Sequence, residues 1–254
     1  MLKKITIAVC FISFSMLLLR CGKDSANTGM YAVSQSGQGG SLARFAVVGN
    51  YMYAVDKENL SVFGIQDAAN PKLIKTIKVG FEIETIFPFK DKLFIGSTSV
   101  VHIFSIDNPE NPVKLSQAIS PNVLRRCDPV VAKDTVAYAS LRVNGPCGGI
   151  QSIVACYDIK DVLNPVQKAT FPVSEPYGLG YKDDVLYVCD KQMGLWVLDI
   201  SKAYQPVSIK VLKDAEWYID VIPYNDVLLC WTSKGATLYD ITNNRNPQLL
   251  TTIQ

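Results

Sequence analysis

A motif of isoleucine, five further residues and proline occurs five times in this chain. The pairs are Ile65/Pro71, Ile106/Pro112, Ile159/Pro165, Ile200/Pro206 and Ile241/Pro247. Successive prolines are 41, 53, 41 and 41 residues apart. A fixed period of this length is typical of repeat architectures, in which stacked units bury the apolar faces that a single unit leaves open.

Each period contains four short β-rich runs separated by turn residues. The fourth unit, for example, reads YGLGYKDD, VLYVCD, LWVLDIS and PVSIKVLK. Residue pairs that tolerate tight-turn dihedrals mark a hairpin in every unit, at Gly49-Asn50, Lys90-Asp91, Lys133-Asp134, Asp183-Asp184 and Asn225-Asp226. The repeat proline cannot donate to a β-ladder, so it favours the start of an outer edge strand.

Five four-stranded units without a helical period predict an all-β fold, a five-bladed β-propeller of four-stranded antiparallel blades spanning residues 41–254. A β-sandwich is the competing fold, and the regular period argues against it. Equivalent second-strand residues are expected to pack between neighbouring blades: Tyr53, Phe94, Tyr138, Tyr187 and Leu229.

The N-terminus has a different composition. Lys3 and Lys4 precede an apolar run that ends at Leu19, which predicts a secretory signal and is too short for a membrane-spanning helix of about 20 residues. Leu18-Leu19-Arg20-Cys21 resembles the lipobox of bacterial lipoproteins, with Arg20 where a small residue is usual. We therefore predict a signal peptide over 1–21 with lipidated Cys21, and a Gly/Ser/Gln-rich tether over 22–40. The alternative is an uncleaved anchor in which Cys21 has no role.

The repeat core resembles a known bacterial family. GLWVLDI, ACYDI and ATLYDI, each followed by a proline, are similar to the LVIVD repeat of bacterial propeller proteins, and the similarity extends over most of residues 40–254. SLARFAVV, ETIFPF, YASLR and YGLG resemble a subgroup of exported lipoproteins in that family. The resemblance implies a propeller in the cell envelope at the outer membrane, either periplasmic or surface-exposed, and it implies no assigned reaction.

The loops between blades and the loops between second and third strands share one face of a propeller, here called the loop face. The third unit carries its extra residues in such a loop, at 142–151 (RVNGPCGGIQ), and long loops on a rigid ring commonly carry function. Residues expected around a funnel on this face are Arg44, Glu82, Glu84, Arg125, Arg126, Asp128, Glu175, Tyr177, Glu216, Trp217, Tyr218 and Asp220. Arginines and carboxylates would orient a ligand and aromatic rings would stack on it, a mixture that favours a glycan, a peptide or a protein partner. The competing interpretation is a solvated polar rim.

Seven cysteines are present, of which five follow Cys21. Cys127 opens the third inner strand and Cys147 lies in the long loop of the same blade. Because both are expected on the loop face of an exported protein, we predict a disulfide between them. Cys156, Cys189 and Cys230 lie among apolar residues on strands and are expected to be core residues.

The sequence contains no recognisable catalytic or metal-binding signature. The single histidine, His102, lies on an alternating strand without a Cys or Asp neighbour, which favours a structural role. The net charge of +2, from 25 basic and 23 acidic residues, argues against a nucleic-acid binder. The prediction is therefore a lipid-anchored binding module that is not an enzyme and has no cofactor or metal. The alternatives are a carbohydrate-active enzyme using funnel carboxylates, and a purely structural component of the envelope.

Overall fold

The computed structural model describes residues 39–121, 127–143 and 151–254, with the backbone alone described for Cys127 and Asp128. Ser34–Gln254 forms one compact unit. Within the described residues, no helix is long and apolar enough to cross a membrane.

In these described ranges, twenty strands form five separate four-stranded sheets, and the strands of each sheet follow one another in the chain. Blade 1 contains β1 (Phe45–Val48), β2 (Tyr51–Val55), β3 (Asn59–Gly64) and β4 (Lys72–Lys78). Blade 2 contains β5 (Ile83–Phe89), β6 (Lys92–Ser97), β7 (Val100–Ser105) and β8 (Val113–Ile119). Blade 3 contains β9 (Cys127–Lys133), β10 (Val136–Leu141), β11 (Ile153–Asp158) and β12 (Val166–Pro172). Blade 4 contains β13 (Pro176–Lys182), β14 (Val185–Asp190), β15 (Gly194–Asp199) and β16 (Val207–Leu212). Blade 5 contains β17 (Tyr218–Tyr224), β18 (Val227–Thr232), β19 (Gly235–Asp240) and β20 (Gln248–Ile253).

This architecture confirms the predicted five-bladed β-propeller. In every blade the strands pair antiparallel in chain order, with the inner strand first and the outer strand last. The first residue of each inner hairpin turn has a positive φ: Gly49 (57°), Lys90 (55°), Asp134 (53°), Asp183 (49°) and Asn225 (51°). These turns define a second face, here called the turn face, opposite the loop face.

The repeated isoleucine and proline have separate structural tasks. In each blade the isoleucine N–H donates to the second residue of that blade's hairpin turn, at 2.8–2.9 Å, as Ile65 does to the Asn50 carbonyl and Ile241 to the Asp226 carbonyl. The proline precedes the outer strand by one residue, where its missing N–H costs no ladder hydrogen bond. The motif therefore fixes the path from the third strand to the outer strand.

Neighbouring blades pack through aromatic residues of the second strand. Tyr53, Phe94, Tyr138 and Tyr187 are buried, as predicted. Two of them also reach a loop of the next blade, since the Tyr53 hydroxyl donates to the Pro109 carbonyl at 3.0 Å and the Tyr187 hydroxyl to the Asn244 carbonyl at 2.7 Å. Burying such a side chain contributes about 2–3 kcal/mol.

The interface between blades 5 and 1, here called the seam, differs from the other four. Leu229 is 37% exposed, so the expectation that it packs between blades was wrong. On the facing side Phe45 is 59% exposed, whereas its equivalents Ile86, Leu179 and Val221 are buried. Blade 1 therefore does not cover the facing side of blade 5 as tightly as blade 5 covers blade 4.

Candidate functional site

The loop face brings together the residues that precede each inner strand. Glu82, Glu175 and Trp217 lie directly before β5, β13 and β17. Their carbonyl oxygens accept from the turn between the second and third strands of the same blade, at 3.3 Å from Thr98 N, 2.9 Å from Lys191 N and 3.2 Å from Ser233 N. The two kinds of loop therefore share one face, as expected.

Charged and aromatic side chains alternate across blades 3, 4 and 5 on this face. The group, here called the rim cluster, consists of Arg142, Glu175, Tyr177, Lys191 and Trp217. Arg142 lies over the Tyr177 ring, 4.0 Å from its centroid, and the Tyr177 hydroxyl is 3.5 Å from Glu175 Oε1. Lys191 Nζ is 3.6 Å from the same carboxylate oxygen and 4.6 Å from the Trp217 ring centroid. Cation–π contacts of this kind are worth about 0.5–2 kcal/mol each.

A groove of about 260 Å³ adjoins the rim cluster where blades 4 and 5 meet. Its walls are formed by Lys191, Gln192, Met193, Gly194, Lys213, Ala215, Glu216 and Trp217. Glu216 is held at its edge by Lys234, at 3.1 Å. Around the cluster and the groove the cations and the carboxylates are equal in number: Arg142, Lys191, Lys213 and Lys234 against Glu175, Asp190, Asp214 and Glu216. The two cations that stack on rings, Arg142 and Lys191, are therefore the groups that would attract an anionic part of a ligand.

Trp217 is 55% exposed and has a φ of 49°. A positive φ is uncommon for a bulky residue and costs of the order of 1 kcal/mol. Glu82 has the same conformation at the equivalent position, with a φ of 52°. The left-handed backbone is therefore a property shared by these two blades, and it presents the Trp217 ring to solvent.

Several predicted residues lie outside the rim cluster, among them Tyr218, Glu82 and Glu84. Tyr218 is fully buried, its hydroxyl is 2.6 Å from that of Tyr239, and burial raises its pKa to about 12. It is therefore not available for stacking on a ligand. Glu82 accepts a 2.7 Å hydrogen bond from the Thr98 hydroxyl on blade 2, and Glu84 is half-buried on β5.

Asp220 lies near the propeller axis. Its carboxylate accepts from the Ser41 hydroxyl at 3.3 Å, from Leu42 N at 3.4 Å and from Val221 N at 2.9 Å. The side chain occupies space left by Gly40 and Gly178, where a Cβ atom would lie 2.1 and 2.0 Å from its oxygens. Desolvation raises its pKa to about 6.

The segment Gly39–Arg44, here called the strap, crosses the axial channel before β1 begins. The Ser41 hydroxyl accepts from Leu179 N of blade 4 at 2.7 Å, and the Ala43 carbonyl accepts from Ile86 N of blade 2 at 2.9 Å. Together with the bonds to Asp220, these contacts join the strap to three other blades. Arg44 is exposed at its end, with its carbonyl bound by Val55 N at 2.8 Å.

The remaining predicted residues fall outside the part of the chain described in atomic detail. Arg125, Arg126 and Cys147 are outside the described residues, and Cys127 and Asp128 are placed only as backbone in β9. The Cys127–Cys147 disulfide therefore stays a prediction. Cys156, Cys189 and Cys230 are free and buried, with burial raising the pKa of each thiol.

Lys191 and Arg142 were not among the predicted binding residues. Lys191 directly follows β14, in the loop between second and third strands, and that placement is readable from the repeat. Arg142 follows β10 at the start of the long loop. In the described ranges, no group of three or more His, Cys, Asp or Glu side chains could hold a metal ion.

Comparisons with known proteins agree with this architecture. The LVIVD repeat family matches residues 39–78 and 182–209, which cover blade 1 and most of blade 4. No curated protein matches the sequence. Among solved structures, the periplasmic gluconolactonase of Pseudomonas aeruginosa is 12% identical with a TM-score of 0.61, over 81% of this chain and 67% of that chain. A Lactobacillus plantarum protein is 13% identical with a TM-score of 0.64, over 80% and 67%. A chain of the mitotic checkpoint complex is 12% identical with a TM-score of 0.55, over 78% of this chain and 59% of its own length.

The gluconolactonase overturns the prediction that the chain is not an enzyme. That prediction rested on the lack of a catalytic signature, and a protein of the same fold with 12% identity is an enzyme. At this identity the likeness shows the shared fold, and the fold gives no ground for excluding catalysis. The repeat match and the five blades together establish the chain as a β-propeller that carries LVIVD repeats.

Proposed function

We propose that this protein is a cell-envelope lipoprotein, anchored at the outer membrane through Cys21, whose propeller binds an acidic glycan at the rim cluster. The anchor rests on the signal-like N-terminus with its lipobox-like end. The periplasmic location of the P. aeruginosa neighbour is consistent with an envelope location. Incorporation of labelled palmitate by the wild type and its loss in Cys21→Ser would test the anchor.

The observation that carries the binding proposal is the run of stacked cations and rings from Arg142 to Trp217, beside an open groove. Sugar rings present C–H faces to aromatic side chains and hydroxyl groups to charged ones, and the cluster offers both within one network. The two ring-stacked cations, Arg142 and Lys191, favour a glycan that carries carboxylates. A protein or peptide partner would be favoured instead if acidic glycans do not bind.

The chain supplies a matched control for the test. Trp217 and Trp231 are 55% and 57% exposed, but Trp217 lies in the rim cluster and Trp231 lies at the seam. Calorimetric titration with oligogalacturonate should show binding that Trp217→Ala weakens by about tenfold or more, because a stacked ring is worth about 1–2 kcal/mol. Trp231→Ala should bind as the wild type does.

Charge is tested in the same titrations. Lys191→Gln should weaken oligogalacturonate binding, and added salt should weaken the wild type, whereas neutral maltohexaose should bind less tightly throughout. Equal losses for Trp217→Ala and Trp231→Ala, or no binding of the acidic glycan by the wild type, would reject the proposal.

A further inference from the structure

The axial channel contains a second cavity that the rim cluster does not touch. It has a volume of about 370 Å³ and is lined by all five blades and the strap: Gly39, Ser41, Val48, Phe87, Pro88, Phe89, Lys90, Val131, Leu179, Gly180, Tyr181, Val221 and Pro223. Most of these residues lie in the second half of an inner strand, toward the turn face. Ser41, bonded across the axis to blades 4 and 5, lies between this cavity and the loop face.

The lining combines apolar side chains with polar backbone. Phe87, Phe89 and Tyr181 contribute rings, and Pro88 and Pro223 contribute further apolar surface. The inner strands are also sheet edges, so some of their N–H and C=O groups face the channel without a ladder partner. A cavity of this size lies within the range of about 300–1,000 Å³ that is usual for small-molecule sites.

Lys90 lines the cavity and forms no ion pair with a carboxylate of the described residues. Lys90, at the hairpin turn of blade 2, is exposed with its Nζ 5.0 Å from the Phe89 ring centroid. Other lysines near this face are paired: Lys133 with Asp134 and Asp184, and Lys182 with Asp226. The mouth of the cavity therefore presents a cation beside an aromatic ring.

We propose that this cavity binds a small amphipathic molecule with a flat apolar body and one anionic group. The body lies among Phe87, Phe89 and Tyr181, and the anionic group meets Lys90 at the turn face. The site is separate from the rim cluster and from any glycan bound there, because the strap lies between the two.

The probe for this site is 8-anilinonaphthalene-1-sulfonate, which has a flat apolar body and one sulfonate. N-phenyl-1-naphthylamine has the same body without the charge. The protein used is Ser34–Gln254, the compact unit whose core clusters are internal to the propeller. Near-UV circular dichroism of each variant establishes that its packing is native before titration.

Two variants address the cavity. Val48→Phe places in blade 1 the residue that blade 2 has at the equivalent position, Phe89, so the fold accommodates it and the cavity shrinks. We expect it to weaken binding of both probes by about tenfold. Lys90→Gln should weaken the sulfonate probe by about threefold and leave the neutral probe unchanged.

Two control variants address the other apolar or aromatic surfaces. Trp217→Ala at the rim cluster and Trp231→Ala at the seam should bind both probes as the wild type does. Wild-type affinity in Val48→Phe, or loss of probe binding in Trp231→Ala, would place the probe elsewhere and overturn the proposal. Equal effects of Lys90→Gln on the two probes would overturn the role of Lys90.

Discussion

At the scale of single residues, Asp220 is a buried carboxylate that connects blade 5 to the strap. It joins β17 to the strap through Ser41 and Leu42, and two glycines leave room for it. The amino-acid sequence alone does not indicate this role, because the contact between Asp220 and the strap joins residues more than 170 positions apart. The role of this carboxylate can be recognised only when the arrangement of the blades is known, because its partners lie in the strap.

The ionisation of Asp220 should make stability depend on pH. Desolvation raises the pKa of its carboxyl to about 6 in the folded protein, above the ordinary value of 3.8. The folded state therefore binds the proton more tightly than the unfolded state, and this contribution to stability is lost as pH rises from about 4 to 6. Asp220→Asn removes the dependence, so its stability relative to the wild type should increase by about 1–3 kcal/mol between pH 4 and pH 7.

Urea unfolding at pH 3 to 7 measures this difference, and Asp199→Asn is the control of opposite sign. Hydrogen bonds from Ser201, and then Arg245, lower the pKa of Asp199 to about 2. Its contribution is present above about pH 4 and is lost as pH falls, so Asp199→Asn should lose stability relative to the wild type as pH rises. Parallel pH profiles for the wild type and Asp220→Asn would contradict the assignment.

At the scale of elements, the repeat predicted the blades but not the exact ends of their strands. Lys133-Asp134 was expected to mark the hairpin of blade 3, and the left-handed residue is Asp134, followed by Thr135. Lys133 is the last strand residue, and its Nζ pairs with Asp134 and Asp184. Turn chemistry locates such a hairpin to within one residue, and the backbone ladder, in which Lys133 pairs with Val136, decides which residue belongs to the strand.

The rim residues show a similar limit. Tyr177 and Tyr218 were both expected to face a ligand, but Tyr218 is the first residue of β17, where the equivalent Ile83 and Pro176 are also buried. Aligning the five repeats could have identified that position as a core position. No alignment of the repeats could have found the contact of Lys191 with Trp217, because it joins two different blades.

Equivalent side chains in blades 4 and 5 should differ in their contribution to stability. Tyr187 is fully buried against blade 5 and bonded to Asn244, whereas Leu229, at the same position in blade 5, is 37% exposed at the seam. Tyr187→Ala should lower the free energy of unfolding by about 3–5 kcal/mol, and Leu229→Ala by about 1 kcal/mol or less. Urea unfolding compares the two, and equal losses would show that the seam is packed as tightly as the interface between blades 4 and 5.

At the scale of the whole molecule, the ring was predictable and its closure was not. The period identified five units, and their order of strands followed from the turn signals. SLARFAVV resembles a full inner strand, yet β1 begins only at Phe45, because the residues before it form the strap. In the part of the chain that the structure describes, each blade is completed from its own contiguous segment. The seam therefore depends on contacts that no repeat encodes.

The seam should be where the propeller opens first. In a stack of repeats, stability is the sum of intrinsic and interface terms, and blades 1 and 5 each have one well-packed neighbour where blades 2, 3 and 4 have two. The seam itself is joined by the Asp220 bonds and leaves a groove of about 330 Å³ lined by Leu42, Ile219, Asp220, Ile222, Leu229 and Trp231. Local opening should therefore be less costly at the two end blades.

Amide hydrogen exchange followed by mass spectrometry measures this directly on the second strands, which are central in their blades. We expect β2 and β18 to exchange faster than β10 and β14, since β10 and β14 open only when two blade interfaces are broken. Asp220→Ala should accelerate exchange in β2 and β18 and have little effect on β14, because it removes the bonds that join the strap to blade 5. Equal protection of all five second strands, unchanged in Asp220→Ala, would mean that the ring is sealed at the seam as firmly as elsewhere.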